Sequence, residues 1–289
     1  MSTAGLDIAD VRRVVETALA EDFRYGPDAT TNATVPADAV ATAELTPRKP
    51  GVLAGIPAAL AVFDAVLGDY DVLDQVADGT ALNAGQPALT VRGPVRGLLT
   101  AERTALNLLC HLSGIATTTA AWVTAVAGTG CAVRDSRKTL PGLRSLQKYA
   151  VRCGGGVNHR LALGDAVLIK DNHVIAAGSV AAAIAAVREH APDLPCEVEV
   201  DTLAEFDEAL ALDAEEILLD NFTPAQCAEA VRRRDAAGAK TRLEASGGLT
   251  LEIARAYAET GVDYLSVGGL THSALALDIG MDLHQPPVG

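Results

Sequence analysis

CEVEVDTLAEFDEALALDAEEILLDNFTPAQCAEAVRRR, residues 196–234, holds two β–α units in succession. CEVEV (196–200) and EILL (216–219) have the length and composition of short buried strands. Thr202 and Glu205 form a capping box ahead of LAEFDEALAL. Thr223, Pro224 and Gln226 supply a cap, a first-turn proline and a reaching side chain ahead of AQCAEAVRRR. The same alternation extends on both sides, with strands expected at CAV (131–133), AVLI (166–169), RLEA (242–245) and DYLSV (263–267), and with Gly238 and Gly261 where helices should stop. Such alternation requires parallel strands and right-handed crossovers, hence a (β/α) barrel or a doubly wound sheet. Lys170, Asp220, Ser246 and Gly268 each follow an apolar strand directly, and Glu199 falls near the end of one. Strand ends that all carry chemistry favour the barrel, where they converge on one face, over the open sheet, where chemistry gathers at one switch point.

Residues 1–20 read as an amphipathic helix, with Ile8, Val11, Val14, Val15, Ala18 and Leu19 at helical spacing. YGPDATTNATVPAD reads as turns. Residues 39–98 mix strand-like pieces (AVATAEL, ALTVRG, GLL) with one helical run, PAALAVFDAVLG, as a small α+β domain would. Residues 101–127 read as largely helical.

The formal charge is −14, which disfavours nucleic acid and anionic membranes as partners. The opening run MSTAGLDIADVRR has no signal-peptide character, and no apolar run reads as long enough to span a bilayer. Five cysteines, widely spaced and without a CxxC, read as buried thiols of a reducing cytosol.

Against that acidic background, residues 134–170 hold Arg134, Arg137, Lys138, Arg144, Lys148, Arg152, Arg160 and Lys170 and only two acids, a local charge of +6. An anionic ligand is the simplest reason to concentrate like charges, and the interleaved Pro-Gly and Gly-Gly-Gly suggest a site more than a solvated helix surface. Arginine matches a carboxylate bidentately and lysine serves phosphate as a point charge. Arg137-Lys138 and His159-Arg160 are therefore candidates to grip an acid with two carboxylates.

Glu199 and Asp220 lie on consecutive strands. They suit Mg²⁺ shared with phosphate oxygens, or a developing cationic sugar; alternatively, Glu199 pairs with a neighbouring lysine. Glu197, of the same parity as Glu199, is expected to form a buried ion pair with Lys170. Ser246-Gly247-Gly248 and Gly268-Gly269, after the last two strands, suit a backbone phosphate site.

AERTALNLLCHLSGIAT, DSRKTLPGLRSLQKYAVRCGGGVNHRLALGDAVLIKDNHV, EVEVDTLAEF, ILLDNF, EASGGL and DYLSVGGLTHS together resemble, in order, the motif series of the quinolinate phosphoribosyltransferases, from about residue 6 to residue 280. The resemblance implies a small α/β sandwich domain (1–108, with the tail 274–289 returning to it) beside an incomplete, seven-stranded (β/α) barrel (109–273). It implies transfer of phosphoribose from phosphoribosyl pyrophosphate to quinolinate with loss of CO2, on the way to NAD, with Mg²⁺ as cofactor. It implies a cytoplasmic homodimer in which Arg103 enters the partner's site. By position in the motifs, Ser136, Arg137, Lys138, His159 and Arg160 would hold quinolinate. Lys138, Lys170, Glu199 and Asp220 would be the catalytic groups, the last three around the sugar donor, with Mg²⁺ near Glu199 and Asp220 and partly on substrate phosphates. Ser246, Gly247, Gly268 and Gly269 would bind the 5-phosphate, with Gly248 and Val267 also among the substrate-binding residues. Ser136 stands where the family usually has Thr, and a hydroxyl is kept. Other readings are the same chemistry on another aromatic acid, a Schiff-base lyase with Lys170 as nucleophile, and a non-catalytic anion-binding protein.

Overall fold

The computed structural model describes residues 6–284. In chain order the elements are α1 (Ile8–Asp22), α2 (Ala29–Thr34), β1 (Val40–Pro47), β2 (Gly51–Val52), α3 (Ile56–Leu67), β3 (Asp71–Gln75), β4 (Ala81–Leu82), β5 (Leu89–Pro94) and α4 (Val95–Ala125). Then follow β6 (Ala132–Arg134), α5 (Arg144–Cys153), β7 (Val167–Ile169), α6 (Asp171–Ala177), α7 (Val180–His190), β8 (Cys196–Val200), α8 (Leu203–Ala211), β9 (Glu216–Asp220), α9 (Pro224–Ala236), β10 (Arg242–Ser246), α10 (Leu251–Ala258), β11 (Tyr264–Ser266), α11 (Gly269–His272) and β12 (Ile279–His284). Among the described residues they divide into two compact units, one of residues 6–120, 139–155 and 270–284, the other of residues 121–138 and 156–269.

The first unit is built on a four-stranded antiparallel sheet in the order β12-β1-β5-β3. The returning tail is β12, which pairs with β1; its last five residues lie outside the described residues. α1 buries Val11, Val14, Val15 and Leu19 and packs on α3. The turn-rich stretch contains a short helix, α2, because Asp28 caps it by accepting the Thr31 N–H at 2.9 Å. GLL (97–99) is helical rather than strand: α4 begins at Val95 directly after β5. The division expected at 108/109 falls inside this one continuous helix.

α4 also corrects the reading that no run could span a bilayer. Its 31 residues are long and apolar enough by length and composition, but half of its most apolar window is buried inside the protein. Leu98, Ala101, Ala105, Leu109, Leu112, Ile115 and Ala116 recur at helical spacing and are buried, as in a core helix. α5 belongs to this unit as well. It buries Leu146, Tyr149 and Ala150, and the Tyr149 hydroxyl donates to Asp78 Oδ2 at 2.7 Å.

The second unit is a parallel sheet in the order β6-β11-β10-β9-β8-β7. Val157 makes a single parallel bridge to Arg134 on the outer side of β6. Six strands and this bridge thus occupy the seven expected places of an incomplete barrel. The expected capping boxes of α8 and α9 are both present, and Gly238 and Gly261 end their helices at φ 64° and 93°. Along the strands, residues of one parity (Val133, Ile169, Val198, Val200, Ile217, Leu219, Leu243, Ala245 and Leu265) are buried apolar groups. The other parity carries Arg134, Glu197, Glu199, Glu216, Asp220, Glu244 and Ser246. The register sets Glu197 level with Glu216, and Ser246 level with Asp220.

A side chain at Gly114 of α4 would overlap the carbonyl oxygen of Leu275 and approach the Ala276 Cα to 2.8 Å. Gly114→Ala should therefore destabilise the first unit by about 1–3 kcal/mol, the usual cost of overpacking. Thermal unfolding will show a Tm lowered by several degrees.

Candidate active site

Arg134, on β6, reaches across the inner face of the sheet. Its Nη1 donates to Glu216 and, at 2.5 Å, to Glu244 Oε2, and its guanidinium lies 3.6 Å from the centre of the Tyr264 ring. Burial works against its charge, but Glu244 and Glu216 outweigh that and raise its pKa. Three buried carboxylates surround this one guanidinium. Burial, and then the charge of Glu216, push Glu197 up to about 8; burial and Glu197 push Glu244 up to about 7.

Lys170 ion-pairs with Glu199, not with Glu197 as expected. The register explains the correction: Ile169 is level with Val198, so the next residue, Lys170, comes level with Glu199, while Glu197 sits beside Leu168. Glu197 Oε2 instead lies 2.6 Å from His159 Nε2. His159, Glu197 and Glu244 bring three potential metal-ligating atoms within 4.8 Å of one another. Arg134 on Glu244 already supplies a cation there, so we read this cluster as a hydrogen-bonded core.

At the carboxyl ends of the strands, Asp220 closes β9. Its pKa is raised by burial, then by Glu199 and Asp201, against Lys170 and Lys138. Lys138, Lys170, Glu199, Asp201 and Asp220 thus form one electrostatic neighbourhood. Asn221, at φ 54°, donates through Nδ2 to Asp220 Oδ2 at 2.7 Å, and its N–H donates to the Ser246 carbonyl at 2.8 Å. Gly247 (φ 92°) lies against Asn221, and any Cβ there would overlap the Asn221 Oδ1. Ser246 ends β10; Gly248, Gly268 and Gly269 are partly or fully exposed, and buried Val267 donates its N–H to the Arg134 carbonyl at 2.9 Å.

Ser136 Oγ accepts the Lys138 N–H at 3.1 Å, at the turn that carries Arg137. Arg137 is close enough to Arg160 to disfavour its charge: burial first, and then Arg137, lower the Arg160 pKa. Nε of each is buried and makes no hydrogen bond. Arg160 Nη1 donates to the Ala166 carbonyl at 3.0 Å. Arg134, His159, Arg160 and Glu197 line a cavity of about 190 Å3 that reaches the starts of β7 and β8; Lys170, Glu199 and Asp220 do not line it.

The basic island is divided. Arg144, Lys148 and Arg152 ride on α5 of the first unit, on a helix after all, with Lys148 fully buried. Arg134 is committed to Glu216 and Glu244. Arg137, Lys138, Arg160 and Lys170 remain in the second unit as candidates for a ligand. Arg103 is exposed on α4 in the first unit. Two residues missed in the sequence organise the site: Asp135, fully buried, accepts from Asn158 Nδ2 (2.5 Å) and from the His159 N–H (2.9 Å). An acid directly after a strand and an Asn directly before His159 were the available signals.

Residues 28–113 match the model of the quinolinate phosphoribosyl transferase N-terminal domain, and residues 115–282 that of its C-terminal domain. The chain belongs to the quinolinate phosphoribosyltransferase family. It is 62% identical over 274 residues to a carboxylating nicotinate-nucleotide pyrophosphorylase of Mycobacterium leprae, covering 94% of this chain and 96% of that protein. It is 41% identical over 243 residues to a probable enzyme of the same name from Bacillus subtilis, covering 83% of each. The crystal structure of NadC from Streptococcus pyogenes superposes with a TM-score of 0.92 at 40% identity, covering 99% of this chain and all of that one.

Glu244 gives a test of the buried acids. The folded protein holds its proton up to about pH 7, whereas the unfolded chain releases it near 4.5. The stability this contributes is full below pH 4.5 and is lost as pH rises through 7, by up to about 1.4 kcal/mol per pH unit for one proton. Glu244→Gln should flatten that part of the profile, measured by urea unfolding between pH 4.5 and 8.

Proposed function

We propose that this chain joins quinolinate to phosphoribosyl pyrophosphate, forming nicotinate mononucleotide, pyrophosphate and CO2, a step of NAD biosynthesis. The observation that carries the reading is the pair Arg137 and Arg160: two adjacent guanidinium groups, each with a buried Nε that makes no hydrogen bond, beside an acidic neighbourhood at the strand ends. Like charges held this close and partly buried are costly without an anion. A pyridine dicarboxylate supplies two carboxylates to Arg137, Lys138, His159 and Arg160.

Lys170 and Lys138 meet the phosphate oxygens of the sugar donor. Ser246, Gly247, Gly248, Val267, Gly268 and Gly269 receive its 5-phosphate, where glycine lets the backbone approach closely. Glu199 and Asp220 face the ribose and stabilise the positive charge that develops at C1 as pyrophosphate departs. The pyridine nitrogen attacks that carbon, and the resulting pyridinium draws the electrons of the 2-carboxylate bond as CO2 leaves. No protein nucleophile is needed; the chain contributes positioning and charge.

Mg²⁺ fits the donor set. Asp220 and Glu199 offer hard oxygen donors, and burial, then the charge of Glu199 and Asp201, raises Asp220. When bound, shared with substrate phosphates, Mg²⁺ neutralises charge on the departing pyrophosphate. The Schiff-base reading is disfavoured because the Lys170 ammonium is engaged by Glu199, whereas a nucleophile requires the free amine. We place the enzyme in the cytosol as a homodimer; its five cysteines are all free thiols.

Quinolinate, phosphoribosyl pyrophosphate and Mg²⁺ mixed with the protein should yield CO2 and nicotinate mononucleotide in equal amounts, and nicotinate should not replace quinolinate. Failure to release CO2 would overturn the assignment. Arg137→Ala should raise the KM for quinolinate about 10- to 100-fold, as expected for loss of hydrogen bonds to a charged group, and leave that for the sugar donor nearly unchanged. Heterodimers of Arg103→Ala with Lys170→Ala subunits should regain part of the activity absent from either homodimer if Arg103 serves its partner's site.

A further inference from the structure

Asp220 closes β9 and Ser246, level with it in the register, closes β10. Asn221 ties the two ends together. Its backbone lies at φ 54°, in the left-handed region that asparagine tolerates better than most residues. Its N–H donates to the Ser246 carbonyl at 2.8 Å, and its side-chain Nδ2 donates to Asp220 Oδ2 at 2.7 Å. Gly247, at φ 92°, leaves the space that the oxygen side of this amide occupies, because a Cβ there would overlap Asn221 Oδ1 and approach its Cγ to 2.7 Å. One side chain is thus fitted between the carboxylate of Asp220 and the turn that follows β10. None of the chemistry derived above uses it.

We infer that Asn221 is a positioning residue for the sugar donor, acting through Asp220: by donating to one carboxylate oxygen it fixes the plane in which that carboxylate meets the ribose. The inference rests on the placement of Asp220 at the ribose. The second side-chain torsion of an aspartate has a broad distribution, so the end of β9 alone does not set the plane of the carboxylate. Glu199 and Asp201 repel this group, while Lys170 and Lys138 attract it. A fixed donor keeps those opposing pulls from deciding its rotation. A neutral amide suits the task better than a cation would, because it orients the carboxylate and leaves its negative charge uncancelled. The donor is also the side of the amide that must face Asp220, since an amide oxygen there would repel a carboxylate.

The backbone makes the contact possible. In an extended strand the side chains of residues 220 and 221 would point to opposite faces. The left-handed turn at Asn221 ends that alternation and brings its amide back beside Asp220, and glycine at 247 keeps the path clear. Gly247 therefore has a use besides close approach to phosphate. On the proposed assignment, Asn221 joins the ribose end of the sugar-donor site to the turn that receives the 5-phosphate.

The test measures turnover of the full-length enzyme with both substrates varied at saturating Mg²⁺, and quinolinate affinity by calorimetry. Asn221→Gly keeps the left-handed backbone and its N–H and removes only the amide. It should lower kcat about tenfold, at the low end of what loss of a partner that orients a functional carboxylate costs, with quinolinate affinity and Tm nearly unchanged. Asn221→Asp keeps the size and tolerates the same backbone, but replaces the donor by a carboxylate that repels Asp220. It should lose at least as much kcat as the glycine variant, and it carries the test if that variant does not fold. A role confined to the turn leaves both variants near the original kcat, and that result overturns the inference. Full activity in the aspartate variant, or quinolinate affinity weakened by the same factor as kcat, overturns it equally. Should Asp220→Ala turn over normally, the site assignment falls and this inference with it; an Asp220→Ala defect without an Asn221→Gly defect removes this inference alone.

Discussion

The second unit depends on a single buried guanidinium. Arg134 crosses the inner face of the sheet from β6 to meet Glu216 on β9 and Glu244 on β10, with its flat side on Tyr264. Removing such ions from water costs several kcal/mol each, and the attraction repays it only where geometry is good. Here one cation serves carboxylates from two strands and sits near a third, Glu197, so the interior remains short of positive charge. Burial first, and then the repulsion of neighbouring carboxylates, raise Glu197 and Glu244. A barrel filled with aliphatic layers would be more stable. This one holds charge on its inner parity and keeps its aliphatic residues for the face that meets the helices, which suits a protein whose reactants are themselves polyanions.

The missing strand is the second constraint. In a regular strand His159 and Arg160 would point to opposite faces, because successive side chains alternate. Val157 makes one bridge and the chain then leaves the ladder, so both residues line the same cavity. The main-chain hydrogen bond that a strand would have supplied to His159 is replaced by Asp135, whose carboxylate accepts the His159 N–H and also the side-chain Nδ2 of Asn158. The incompleteness of the sheet is thus what allows two consecutive residues to line one cavity, and a buried acid directly after β6 is what holds the chain there.

These arrangements differ in how far sequence reveals them. Caps are local, so Thr202 with Glu205 and Thr223 with Gln226 were legible, as were the strands between them. Parity is local too, and it placed Glu197 and Glu199 on one face. Which lysine or histidine each acid meets depends on the relative level of neighbouring strands, which the chain does not announce; hence Lys170 was assigned to the wrong glutamate. Arg134 looked like any other member of the basic island, because its partners lie 82 and 110 residues further along. Arg144, Lys148 and Arg152 looked like site residues because they are close in sequence, yet that stretch leaves the second unit to form a helix in the first. The short helix at Ala29–Thr34 was hidden by Gly, Pro and Asn, whose turn preference is outweighed by one capping aspartate.

The remaining groups sort by the charge each stage of the reaction needs. A dicarboxylate must be bound before anything happens, and on the proposed assignment Arg137 and Arg160, whose Nε groups make no hydrogen bond, would meet it. Positive charge appears on the sugar only as pyrophosphate departs, and the acids that the proposed assignment gives it, Glu199 and Asp220, are not left bare: Lys170 pairs with the first, and burial with neighbouring acids favours a proton on the second. Polyphosphate competing for Lys170 would loosen it from Glu199 and expose that carboxylate to the ribose. On this view the Lys170–Glu199 pair keeps negative charge masked until the donor that requires it has arrived, which explains why the pair is formed at a partly exposed strand end and not in the core beside Arg134.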